Sequence, residues 1–82
     1  MITFKPQTSI HSESGNLIFW ALYNEKPICI EVSMDAIEDI DPDDTLSVEQ
    51  KFQANRSSFE SIAEKKIRNG IQKPFISTND LQ

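Results

Sequence analysis

Apolar residues recur along the chain in two rhythms. From Ile28 to Ser33 they alternate, with Ile28, Ile30 and Val32 on one side and Cys29, Glu31 and Ser33 on the other, which is the period of a half-buried strand. The preceding run, LIFWALY at 17–23, does not alternate: Ile18, Trp20 and Leu22 share one face, while Leu17, Phe19, Ala21 and Tyr23 share the other. Both faces of that strand want cover. Between the two runs NEKP supplies turn chemistry, so they form a hairpin. Ile2–Phe4 reads as a further short strand, followed by a polar loop through Pro6 and HSESGN to Asn16. Near the other end KPFIS reads as a last strand, which Pro74 places at a sheet edge, and TNDLQ begins a capped turn.

The helical rhythm occupies the stretches between. Ser33 is an N-cap for MDAIEDI, and Asp41 before Pro42 resists helical backbone, closing that helix near Ile40. Met34, Ile37 and Ile40 are expected to face the sheet. Ser47 and Gln50 fit a capping box, while Lys65, Lys66, Arg68 and Asn69-Gly70 suit a helix end. About 22 residues between these signals extend roughly 33 Å as one helix, which then spans the sheet or bends near Ser57-Ser58. The expected architecture is α+β and two-layered, a sheet of three or four mainly antiparallel strands packed on one face by a short and a long helix. Residues 1–82 are expected to form one domain, 1–16 being the N-terminal strand and polar loop and 17–81 the core.

One residue breaks the apolar stripe of the long helix. On a wheel of about 100° per residue, Val48, Phe52, Phe59, Ile62, Ala63 and Ile67 share an arc, and Arg56 falls inside it with Asn55 at the margin. A buried, unpartnered guanidinium costs several kcal/mol, so the fold must supply acceptors or let the head reach water. Glu60, on the same side of the helix, is an expected partner, as are carboxylates near Asp39 and helix-end carbonyls. The alternative makes Asn55 and Arg56, with Lys66 or Lys73, a site for a small anion.

Charge and composition narrow the chemistry. The net charge of −5 hides a polarity: Asp35, Glu38, Asp39, Asp41, Asp43 and Asp44 precede a half dominated by Lys51, Arg56, Lys65, Lys66, Arg68 and Lys73. An acidic total disfavours nucleic acid, which wants several cations facing phosphates. Asp39, Asp41, Asp43 and Leu46 match positions of a calcium loop, but Asp44 stands where the sharp turn needs glycine and Gln50 where a bidentate glutamate should close it. No metal is therefore expected. Cys29 is the only cysteine and is expected to be a buried, inert thiol; His11 is the only histidine, in a polar loop. With Gly15 and Gly70 the only glycines there is no phosphate-cradling loop, so neither a cofactor nor catalysis is expected. No apolar run approaches the roughly 20 residues of a membrane helix, and Met1–Lys5 lacks the design of a secretory signal, which makes the cytoplasm the expected compartment.

The segments LIFWA, IEVSMDAIEDI, FQANRSSFESIAEKKI and FISTNDL, spread over 17–81, resemble a group of small proteobacterial proteins catalogued as domain of unknown function family 1488. The resemblance implies a compact two-layer α+β fold, draws attention to Arg56 within ANR, and carries no assigned activity.

Two helices cover only one face of such a sheet, so part of the aromatic strand is expected to face outward. Phe19, Trp20 and Tyr23 are the candidate interface, for self-association or for another protein, unless the N-terminal segment folds over them as a lid. A non-catalytic interaction module is the leading expectation. A ligand-responsive domain using Asn55 and Arg56 comes second and nucleic-acid association third.

Overall fold

The computed structural model describes residues 1–81. Its element order is β1 (Ile2–Ile10), β2 (Leu17–Tyr23), β3 (Lys26–Val32), α1 (Met34–Ile40), α2 (Val48–Ala54), α3 (Arg56–Arg68), β4 (Phe75–Ile76) and a closing 3-10 turn (Thr78–Leu81). The strands form one sheet in the order β1-β2-β3-β4; the first three are antiparallel and β4 runs parallel to β3. Three helices and the terminal turn complete the α+β fold, which has a radius of gyration of 12.0 Å.

Side-chain alternation decides which face the helices cover. Leu17, Phe19 and Ala21 of β2 and Ile30 and Val32 of β3 point inward and are fully buried, together with Ala36, Ile37, Phe52, Phe59, Ala63 and Ile76. A run of aromatic contacts ties the layers together: Phe4 lies 6.0 Å from Phe19, Phe19 4.9 Å from Phe52, and Phe52 5.4 Å from Phe59, centroid to centroid. Burying a phenylalanine of this kind contributes about 1.5–3 kcal/mol, so these rings outweigh any polar contact on the surface. Met34 departs from expectation: it is exposed at the first position of α1, and Ala36 takes the buried place beside Ile37.

The predicted caps are present. Ser33 Oγ accepts from the Ala36 N–H at 3.1 Å, and Asp41 leaves the helix in extended conformation ahead of Pro42. Ser47 and Gln50 complete a capping box, at 3.2 Å and 2.8 Å. At the end of α3, Gly70 has φ +90°, and the N–H groups of Gly70 and Ile71 donate to the Ile67 and Lys66 carbonyls at 3.0 and 3.1 Å, a Schellman closure. The β2–β3 turn places Asn24 and Glu25 at φ 51° and 69°, the type I′ geometry that matches strand twist.

Two further expectations are corrected. The long rod over 47–69 is two helices, α2 and α3, separated at Asn55, whose φ of −119° and ψ of 20° lie outside the helical range. The side-chain Nδ2 of Asn55 donates to the Lys51 carbonyl at 2.9 Å, the acceptor that Asn55's own N–H also uses, and to Asp41 Oδ2 at 3.3 Å. An asparagine that satisfies carbonyls with its side chain gives the backbone an alternative to continuing the helix. The second correction concerns residues 5–10, read as loop: they extend β1 to Ile10, with a bulge at 5–7. Phe4 pairs with Ala21 and Thr8 with Phe19, so four steps along β1 match two along β2 and inward residues stay inward. Pro6 occupies the bulge of this edge strand, where a missing N–H is tolerated.

Candidate functional site

The guanidinium of Arg56, at the first position of α3, reaches back across the helix layer to the bulge of β1. Its Nε donates to Glu60 Oε2 at 2.7 Å, one Nη to Gln53 Oε1 at 3.5 Å, and the other to the Lys5 carbonyl. The cation also sits 5.3 Å from the Phe52 ring centroid and 5.8 Å from that of Phe19. Residues 5–7 have no register partner in β2, and Arg56 meets the Lys5 carbonyl there while lying against the aromatic core. Of the expected partners Glu60 is present; the carbonyl belongs to β1 rather than to a helix end.

Asn55 and Arg56 point to different places. Asn55 faces Asp41 and Lys51, whereas Arg56 faces Glu60 and β1. Lys66 pairs with Asp80 at 2.9 Å, and Lys73 is exposed in the segment that leads to β4. These side chains do not converge on a common point. Among the described residues no three His, Cys, Asp or Glu side chains gather at metal-binding separation. The carboxylates of the acidic connector serve local turns instead: Asp41 accepts from the Asp43 N–H, and Asp43 accepts from both the N–H and the hydroxyl of Thr45. The Thr45 hydroxyl is the main cause that holds the Asp43 carboxyl below its ordinary range. Asp80 is likewise lowered, first by the Ser77 N–H and then by Lys66.

One polar residue escaped the sequence pattern. Lys51 is only 3% exposed, although it lies a residue before the core Phe52 and reads as surface. No buried side-chain nitrogen or oxygen among the described residues lacks a partner, so its ammonium tip reaches water while the stem is covered.

Among the described residues no helix lies over the other face of the sheet. Register aligns Ile18 with Glu31, Trp20 with Cys29, Leu22 with Pro27, and Glu31 with Phe75 across it. Ile18, Trp20 and Leu22 are half-buried by their neighbours alone, and Phe75 is 46% exposed. The N-terminal segment does not fold over this face; it lies beside β2 as β1. Of the three expected interface residues only Trp20 belongs here. Phe19 is fully buried in the core and presents no surface, and Tyr23 packs inward against the core at the hairpin end. Cys29, expected to be buried, is exposed beside Trp20 because nothing covers its side of β3. His11 is not simply solvated: its Nδ1 accepts from the Glu13 and Ser14 N–H groups at 3.2 and 3.3 Å and shapes the β1–β2 loop.

Fold and surface together define an open-faced α+β protein, one layer of helices on a sheet whose other face is bare. The chain belongs to the family described as "Protein of unknown function (DUF1488)", whose model matches residues 2–74. No curated protein and no solved structure matches it. Among the described residues no helix is long and apolar enough to cross a membrane.

Proposed function

We propose that this protein is a non-catalytic interaction module that pairs with a second copy of itself through the bare sheet face. The observation that carries the reading is the row Ile18, Trp20 and Leu22, continued by Phe75, on a face with no helix over it. Glu31, which accepts from Asn16 Nδ2 at 2.7 Å, is the one carboxylate among these residues, so the row carries a single negative charge in a chain of net charge −5. Stacking two such faces keeps the remaining acids apart. Strands about 4.8 Å apart and about 24 Å long give a projected area of roughly 450 Å². Its corrugated surface lies at the small end of what a specific pair needs, which favours reversible association. An unpaired exposed thiol at Cys29 suits a reducing compartment such as the cytoplasm.

The anion reading draws less support, because the donors of Arg56 already meet Glu60, Gln53 and Lys5. Nucleic-acid association draws less still, since Lys66 and Arg68 are each committed to a carboxylate.

Sedimentation across a concentration series tests the proposal. Wild type is expected to shift from monomer to dimer, and Trp20→Glu to stay monomeric with an unchanged circular dichroism spectrum. A wild type that remains monomeric at millimolar concentration overturns it.

A further inference from the structure

A second surface lies at the edge of the sheet. β4 pairs with β3 only at Glu31 and Val32, so on that side Lys26–Ile30 have no neighbouring strand among the described residues. The Glu31 and Ser33 N–H groups donate to the Pro74 and Ile76 carbonyls at 3.1 and 2.9 Å, which fixes the direction in which odd-numbered residues of β3 point their backbone groups. Because these groups alternate along a strand, the N–H and carbonyl of Cys29 and the carbonyl of Pro27 point to the same side. Among the described residues no backbone group outside the sheet meets the Cys29 N–H. Next to Cys29, along Lys26–Ile28 of this edge, lies a groove of about 540 Å³ whose other wall is formed by Ile67 and residues 70–73. Tyr23, Ile28, Ile67 and Ile71 give it an apolar floor and wall, and Ile71 is 42% exposed there. Lys26 and Lys73 stand on its rim. Neither is in an ion pair among the described residues, and no carboxylate lines the groove.

We propose that this groove takes an extended, acidic peptide segment of another protein, which adds to the open edge of β3 as a short strand. The backbone groups of Cys29 and Pro27 supply strand-to-strand hydrogen bonds, the apolar wall receives alternate side chains, and Lys26 and Lys73 attract carboxylates. Charge complementarity selects the partner: two lysines outside any ion pair, with no carboxylate in the groove lining, favour an acidic segment over a basic one. Pro27 lacks an N–H, so the ladder is short. A fatty carboxylate would satisfy the wall and the lysines but leave the Cys29 backbone unanswered. The groove is separate from the Trp20 face, and neither proposal rests on the other.

Amide spectra of the ¹⁵N-labelled chain tests this at a concentration below that of self-association. The probes are the capped peptides Asp-Val-Ile-Val-Glu and Lys-Val-Ile-Val-Lys, and dodecanoate. The acidic peptide is expected to saturate below about 1 mM, to shift Cys29 and Lys73, and to slow exchange of the Cys29 amide about tenfold. The basic peptide is expected to bind at least about tenfold more weakly, and the double variant Lys26→Glu, Lys73→Glu, both at exposed positions, to reverse the preference. No saturable shift with the acidic peptide, equal binding of the two peptides, or shifts with dodecanoate alone would overturn the proposal. Each of these outcomes leaves the Trp20→Glu result untouched.

Discussion

The guanidinium of Arg56 donates to the backbone carbonyl of Lys5, joining the start of α3 to an edge strand 51 residues earlier in the chain. Together with Glu60 and the two phenylalanine rings, this contact makes Arg56 a clasp between layers. Arg56→Met keeps the apolar stem but removes the donors. It is expected to destabilise the protein by about 1–2 kcal/mol, since bonds to charged groups exceed neutral ones and the Arg56 head is mostly covered. A fall of roughly 5–10 °C in Tm would report it. An unchanged or raised midpoint would remove the clasp.

Glu25 occupies a left-handed position that L side chains other than asparagine seldom take. Glu25→Gly converts the β2–β3 turn to Asn-Gly, the preferred type I′ pair, and is expected to stabilise by about 0.5–1 kcal/mol. Urea unfolding checks it, with an equal slope and a higher midpoint as the expected result.

Asp80 accepts from the Ser77 N–H at 2.8 Å and pairs with Lys66 at 2.9 Å, and these contacts hold its carboxyl below the ordinary value of 3.8. A depressed folded value contributes stability that is present above the unfolded pKa and lost as pH falls through the folded one. The gap in urea midpoint between wild type and Asp80→Asn is therefore expected to be full at neutral pH and to shrink on acidification below about pH 4. A gap that stays constant down to pH 2 would show that Asp80 contributes through shape alone.

Cys29 lies next to Trp20 on the bare face. In dilute native protein it is expected to react with a maleimide without unfolding, and to slow as concentration rises and the faces pair. A rate independent of concentration would place association elsewhere.

Local chemistry made much of this fold legible. Ser33, Pro42, Ser47 and Gly70 marked helix ends because caps depend on a few adjacent residues, and the alternation at Ile28–Val32 fixed which side of β3 is buried. What stayed hidden depends on partners distant in sequence. The break at Asn55 needs Asp41, and the strand character of 5–10 needs β2 beside it, since Lys5, Gln7 and Ser9 carry no apolar rhythm. Phe19 and Trp20 were indistinguishable because both faces of β2 are apolar; only the helix layer chooses between them. Glu60 was found from helical spacing, while the Lys5 half of the Arg56 site had no sequence signal at all.

The bulge at 5–7 also governs how this molecule can grow. A straight nine-residue margin would present an unbroken ladder to a neighbouring strand, but the register shift between Phe4 and Thr8, with Pro6 inside it, interrupts that ladder. Fibre-like growth from the β1 margin is thereby disfavoured.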